Sequence, residues 1–112
     1  AGVGLRGDNT VGTSYVDRNS AMIEIRKTTT TIRTRAANST SITYVNSDTS
    51  DDNRHVIKTE LNGTDCKHTI DGVLKTTITT TLPDAKMQPF FFAWADGSGA
   101  GCHISYIEAY NT

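Results

Sequence analysis

The sequence predicts an all-β protein, an antiparallel sandwich of two sheets, on composition and spacing. Threonine occurs 19 times and nine isoleucines outnumber four leucines, and β-branched side chains favour pleated sheet over helix. No segment repeats apolar residues at the spacing of an amphipathic helix. With 112 residues the chain has the size of one domain. We therefore expect residues 1–112 to form a single sandwich domain of jelly-roll type.

The clearest element is a three-stranded meander in the middle of the chain. The dipeptides Asn62-Gly63 and Asp71-Gly72 are separated by only seven residues. Both tolerate the positive φ angles of a type I′ turn, which joins antiparallel neighbours with the twist of a β-ribbon. The pattern predicts strands over 54–61, 64–70 and 73–80.

Before the meander, four short runs have the character of strands. In "SAMIEIRKT" the side chains of Ala21, Ile23 and Ile25 share one face. In "TTIRTRAA" Arg33 and Arg35 share the face opposite the apolar residues of that run. The runs "GVGLRG" and "SITYVN" complete the set, and the residues that follow, 46–53, are predicted to form a polar loop.

After the meander, "QPFFFAWA" is apolar at consecutive positions, which is typical of a strand covered on both faces. A glycine-rich loop, "DGSGAG", leads into "CHISYIEAY", the predicted last strand at 102–110. About nine strands at this spacing favour a two-sheet sandwich.

Charge and hydropathy exclude two classes of partner. The formal net charge is -1, from 11 basic and 12 acidic residues, whereas a nucleic-acid partner needs a basic face. No apolar run approaches the roughly 20 residues of a membrane-spanning helix. We predict neither nucleic-acid binding nor membrane insertion. The chain begins with Ala1 rather than methionine, which indicates a processed or partial product.

The two cysteines, Cys66 and Cys102, allow one intramolecular disulfide. Such a bond would stabilise the fold by about 3–4 kcal/mol in the chain-entropy model. The alternative is that both thiols are buried and pack as small apolar groups. Cys66 and His68 share a strand face, and a packed thiol beside a packed imidazole is a better interpretation than a catalytic dyad.

No resident cofactor is predicted, and calcium is the metal that the residues best allow. Carboxylates in loops supply the hard oxygen ligands that calcium prefers. Acidic residues in a loop more often serve only to solvate it. The calcium candidates are Asp48, Asp51, Asp52 and Asp96.

Glycoside hydrolysis requires two carboxyl groups about 5–10 Å apart. Glu24, Glu60 and Glu108 each occupy a strand position typical of a solvated face, so no catalytic residue is predicted. Sugar binding instead uses an exposed aromatic ring with polar groups at its edge. The alternative for the single tryptophan is a place in the core. The ligand-binding candidates, if they share a concave sheet face, are Trp94, Tyr44, Arg33 and Arg35.

The second half of the chain resembles the C-terminal portion of concanavalin A-like lectin/glucanase domains. The shared order is "IDGVL" at 70–74, then Pro83, then "MQPFFF" at 87–92 and "SYI" at 105–107. The resemblance implies a jelly-roll sandwich and affinity for glycans, and such patterns are common in phage structural and microbial surface proteins. Compared with that family, we expect the domain to lack the strands that normally precede "GVGLRG", and the sequence contains no E-x-D-x-x-E catalytic strand of the glucanases.

Three functional hypotheses follow. The first is a non-catalytic structural or adhesion module of a virion, such as a capsid decoration or tail subunit, or of an extracellular surface assembly. A sandwich that lacks strands exposes unpaired sheet edges, so we expect self-association or binding to other structural subunits by strand addition. The second is a lectin-like carbohydrate-binding module, and the third is a glycoside hydrolase.

Overall fold

The computed structural model describes residues 2–6, 19–26, 29–51, 53–92 and 105–109. These residues contain strands and no helix, and none of them forms a helix that is long and apolar enough to cross a membrane. The all-β class is therefore confirmed. The strands are β1 Gly2–Arg6, β2 Ser20–Arg26, β3 Thr31–Ala37, β4 Ile42–Thr49, β5 Ile57–Leu61, β6 Cys66–Ile70, β7 Val73–Ile78 and β8 Gln88–Phe92.

The larger sheet has five antiparallel strands in the order β4-β3-β2-β1-β8. The connection from β3 to β4 is tight because the side chain of Asn38 organises it. Its Oδ1 accepts hydrogen bonds from the backbone N–H groups of Thr40 and Ser41 at 2.9 and 2.8 Å. An Asn side chain that bonds to its own backbone in this way favours a turn over strand continuation.

The smaller sheet is the meander β5-β6-β7, as the two turn dipeptides predict. Asp71 and Gly72 both have positive φ angles, 50° and 81°, as a type I′ turn requires. The first turn differs from the expectation, because only Gly63 has a positive φ there. The Oδ1 atom of Asn62 instead accepts the backbone N–H groups of Thr64 and Asp65, so this side chain stabilises a wider turn.

The core lies between the two sheets, in a β-sandwich-like arrangement. One cluster joins Ala21 and Ala36 of the larger sheet to Cys66 and Ile78 of the smaller one. A second cluster joins Ile23 and Ile32 to Ile70. The alternation predicted for β2 and β3 is confirmed, since Ala21, Ile23, Ile32 and Ala36 face this core. Met22 and Ala37 are also fully buried, but they lie on the opposite face of the larger sheet.

The polar residues 46–49 belong to a strand, so the prediction of a loop over 46–53 is wrong in its first half. β4 continues to Thr49 past an irregularity opposite Ile32 and Arg33. A polar strand is stable here because its side chains have partners. Ser47 Oγ donates to the Thr34 hydroxyl at 3.3 Å, and Asp48 pairs with Lys75 at 2.8 Å.

The predicted last strand at 102–110 is wrong for the part that the structure describes. Residues 105–109 form no strand, and their side chains are exposed. Tyr106 donates instead to Glu108, two residues further on, at 2.6 Å. Apolar alternation alone favours a strand only where a sheet edge is available to pair with it. The remainder of that prediction lies outside the described residues.

Candidate binding surfaces

The outer face of the larger sheet, turned away from the core, carries an arginine cluster, which we define as Glu24, Arg33, Arg35 and Tyr44. Strand register assembles it. Glu24 on β2 lies opposite Arg33 on β3, and Arg35 lies opposite Tyr44 on β4. Residues directly opposite one another in an antiparallel pair share a face of the sheet. All four side chains therefore project to the same side.

Glu24 holds both arginines of the cluster. Its Oε2 accepts from Nε and Nη2 of Arg33 at 2.9 and 2.7 Å, and its Oε1 accepts from Nη1 of Arg35 at 2.7 Å. Glu24 and Arg35 are only 5% and 3% exposed. A carboxylate removed from water in this way requires its cationic partners, so these two residues fix the position of the cluster.

Arg33 and Tyr44 are the accessible part of the cluster. The Arg33 guanidinium carbon lies 4.6 Å from the centroid of the Tyr44 ring, within range of a cation–π contact. Tyr44 is 59% exposed. An exposed ring beside a fixed guanidinium presents an apolar face next to hydrogen-bond donors.

Three of the four predicted ligand-binding residues share one sheet face, Arg33, Arg35 and Tyr44, while Trp94 lies outside the described residues. The buried Arg35 offers little surface to a ligand. The sequence predicts a solvated position for Glu24, but Glu24 is buried at the centre of the cluster. The sequence indicates only that Glu24 shares a strand face with Arg26 in "SAMIEIR". The register of β2 with β3 is needed to identify its partners.

Glu24 and Glu60 do not form a carboxylate pair. Glu24 lies on the outer face of the larger sheet, whereas Glu60, on β5, lies on the outer face of the smaller sheet and contacts Lys58 at 2.9 Å. The sandwich core separates them. Glu108 is engaged by the Tyr106 hydroxyl. Each of the three carboxylates is thus bound to a neighbouring side chain.

Cys66 and His68 are packed side by side in the core, as predicted. Both are fully buried, with Cys66 Sγ 3.4 Å from His68 Nε2. Burial raises the pKa of the Cys66 thiol to about 12 and lowers the pKa of His68 to about 4. A thiol that stays protonated is a poor nucleophile. Cys66 has a free thiol in the structure, which favours the alternative of a packed thiol over the disulfide; Cys102 lies outside the described residues.

The predicted calcium candidates that the structure describes have other partners. Asp48 pairs with Lys75, and Asp51 accepts from the backbone and side chain of Asn53 and contacts His55. Within the described residues, no group of three or more His, Cys, Asp or Glu side chains is placed so that it could hold a metal ion. Asp52 and Asp96 lie outside that part of the chain.

A second surface, the open side, is formed by the adjacent terminal strands β4 and β7. An ion pair between Asp48 and Lys75 joins β4 to β7. A hydrogen bond from Thr81 Oγ1 to Thr43 Oγ1, 2.8 Å long, joins β4 to the residues that follow β7. Large apolar side chains are exposed along both strands. They are Ile42, Tyr44, Val45, Val73 and Leu74.

The four terminal strands differ in how they discourage further pairing. β8 contains Pro89, β5 contains Lys58 and β7 contains Lys75. Proline and lysine on a terminal strand both oppose pairing with another chain. β4 is eight residues long and contains neither proline, lysine nor arginine. Among the described strands, β4 therefore has the edge best suited to accept another strand.

A scan of the chain against protein-family models and searches of curated proteins and of solved structures found no match. The resemblance to concanavalin A-like domains stays a prediction, and the two surfaces are interpreted from their own chemistry.

Proposed function

We propose that this chain is a non-catalytic structural or adhesion module of a surface assembly, and that it associates with copies of itself or with other structural subunits through the edge of β4. The observation that supports the proposal is the composition of that edge. It is long, its side chains Ile42, Tyr44 and Val45 are exposed and largely apolar, and it contains no proline, lysine or arginine. Its one charged residue, Asp48, is paired with Lys75 of β7.

Strand addition would use both the backbone and the side chains of β4. On a terminal strand, alternate backbone N–H and C=O groups point away from the sheet and have no partner strand. A partner strand pairs with these groups, while side chains on its two faces cover the exposed apolar residues. Full burial of each large apolar side chain contributes about 1.5–3 kcal/mol. Ile42, Tyr44 and Val45 are already about half buried, so each would contribute only part of this free energy, and it is their sum with the backbone pairing that must offset the cost of association.

We propose further that the sheets are connected as a jelly roll of concanavalin A type and that the assembly is extracellular or part of a virion. The resemblance of residues 70–107 supports the first statement, together with the two antiparallel sheets. The occurrence of that pattern in phage structural and microbial surface proteins supports the second.

Sedimentation velocity at micromolar concentration tests the association. We expect the wild-type chain to form dimers or larger species. Val45→Lys places a charge on the open side, where Val45 is 42% exposed, and should give a folded monomer. Thr69→Lys adds the same charge on the central strand β6 and should leave association unchanged. A wild-type chain that is well folded and strictly monomeric would contradict the proposal.

Carbohydrate binding is a second candidate function, favoured by the Arg33–Tyr44 contact. Tyrosine rings stack against the C–H face of a sugar, and the adjacent guanidinium donates hydrogen bonds to hydroxyl groups. A glycan array tests this possibility. Binding should be lost in Tyr44→Ala and retained in Val45→Lys, which alters the strand edge but not the outer face. The absence of binding across a broad panel would rule it out.

A further inference from the structure

One end of the open side carries a three-residue cluster, the latch, which consists of Asp51, His55 and Asp71. His55 Nδ1 lies 2.7 Å from Asp71 Oδ2, and His55 Nε2 lies 2.7 Å from Asp51 Oδ1. A carboxylate only accepts hydrogen bonds, and a neutral imidazole has a single N–H group. Both contacts are therefore satisfied together only when the ring carries two protons.

The latch joins two segments that flank the strands of the open side, the residues after β4 and the turn before β7. Asp51 follows the end of β4, and Asp71 is the first residue of the turn that starts β7. Asp71 also accepts the backbone N–H of Val56 through Oδ1 at 2.9 Å and donates its own N–H to the Val56 carbonyl at 2.8 Å. The imidazolium thus fastens the loop after β4 onto the turn before β7.

The charges around His55 favour its protonated form. Hydrogen bonds to Asp71 and then to Asp51 raise the pKa of His55 above its ordinary value of 6.5. Asp48 on β4 also interacts electrostatically with His55, but its charge is compensated by Lys75 on β7. Arg54, the neighbour of His55 in sequence, is exposed. The imidazole itself is mostly covered, with 16% of the side chain exposed.

We propose that the latch is a proton-operated switch which closes when His55 carries two protons and which opens, releasing the loop after β4, when His55 loses one. The direction in which pH acts on the latch follows from the pKa shifts of the imidazole and of the two carboxyl groups. The pKa of His55 is raised from 6.5, so its stabilising effect is complete below that value and is lost as pH rises through the folded-state pKa.

The acid limit is set by the carboxyl groups. The pKa values of Asp51 and Asp71 are lowered from 3.8, in both cases mainly by the hydrogen bond to His55. Their contribution is present above 3.8 and is lost as pH falls through the folded-state values. The latch is therefore closed between the lowered pKa values of the two carboxyl groups, below 3.8, and the raised pKa of His55, above 6.5.

The consequence for association rests on the proposed function. A closed latch orders the end of β4 beside the start of β7, and an edge that is already ordered loses less conformational freedom when a partner strand binds. Association through β4 should therefore be stronger at pH values where His55 is protonated. At higher pH the loop is released, and the same partner is bound more weakly.

The test begins with an NMR titration of the His55 ring in the wild type, Asp71→Asn and Glu60→Gln. Asn-Gly also favours the type I′ turn, and the Asn side-chain oxygen can still accept the Val56 N–H, so Asp71→Asn removes the charge and keeps the turn. We expect a wild-type His55 pKa above 6.5, a lower value in Asp71→Asn and no change in Glu60→Gln. The Ser50 amide, which lies directly after β4 and donates to the Thr30 carbonyl, should exchange at least about tenfold faster, after correction for intrinsic exchange, once His55 is deprotonated.

A wild-type His55 pKa at or below 6.5, or a Ser50 amide whose exchange does not respond to deprotonation of His55, would overturn the latch. Sedimentation at pH values below and above the measured His55 pKa then tests the regulation. A dissociation constant at least about threefold lower at the acidic value, with no such difference in Asp71→Asn, supports it. Association that is independent of pH while His55 titrates as expected overturns the regulation. Association that is absent at every pH, with the latch intact, overturns the proposed function instead.

Discussion

Glu24 has a structural role that its sequence position does not reveal. A glutamate between two isoleucines on an alternating strand is normally solvated, and this one is buried between two arginines. The partners Arg33 and Arg35 are identified only by the register of β2 with β3. Alternation assigns a residue to one of two faces, but it does not say which residues of the next strand lie opposite.

Glu24→Gln should strongly destabilise the fold, because it leaves two closely spaced arginines without their counter-charge. Removing one partner of a buried ion pair typically costs about 3–5 kcal/mol. Urea denaturation measures the free energy of unfolding. Glu60→Gln is the matched control, since its exposed pair with Lys58 is worth less than about 1 kcal/mol. Equal effects of the two substitutions would show that the arginine cluster is not a buried ionic network.

The free energy of unfolding should fall as the solution becomes acidic, because His68 is buried in its neutral form. Burial lowers its pKa from 6.5 to about 4, so between these values the unfolded chain binds a proton that the folded chain does not. Stability is therefore complete above 6.5 and falls as pH drops, by about 3 kcal/mol from this group alone. An NMR titration of the His68 ring checks the cause. A pKa near 6.5 would contradict the buried, neutral imidazole.

At the level of the strands, local pattern predicted most of what the structure contains. The meander followed from Asn62-Gly63 and Asp71-Gly72, and the core faces of β2 and β3 followed from alternation. β4 was predicted too short, because its polar second half is stabilised by contacts with β3 and β7. The prediction of a strand at 102–110 is wrong at 105–109 for the converse reason. Apolar and polar residues alternate there as in a strand, yet the segment pairs with no strand.

Two glycines provide a comparison between a strand and a turn. A Cβ atom at Gly4, on β1, would collide with the backbone of Ala21 and Met22 on β2, whereas a Cβ at Gly63 would meet nothing within 4 Å. Gly63→Ala should therefore cost only the penalty for its positive φ, about 1–2 kcal/mol.

We expect Gly4→Ala to be clearly more destabilising than Gly63→Ala, since β1 must move away from β2 to make room. Thermal unfolding followed by circular dichroism compares the two variants. A Gly4→Ala protein as stable as Gly63→Ala would show that β1 does not lie against β2 with the register found here.

At the level of the whole molecule, the two sheets bury their apolar faces against each other and leave two surfaces of different chemistry. The outer face of the larger sheet carries a fixed ionic cluster beside an exposed ring. The open side carries exposed apolar side chains along adjacent terminal strands, one of which, β4, contains no proline, lysine or arginine. The sequence suggested both aromatic and edge-based binding, but only the strand order shows that β4 contributes to both surfaces.

The central claim is that β4 accepts a strand from a partner subunit. Hydrogen–deuterium exchange of the β4 amides, measured at several protein concentrations, tests it most directly. We predict that the amides of β4 which point away from β3 exchange rapidly at low concentration and become protected as concentration rises, while those of the central strand β6 do not change. Exchange at β4 that is independent of concentration, in a chain that remains folded, would contradict the claim.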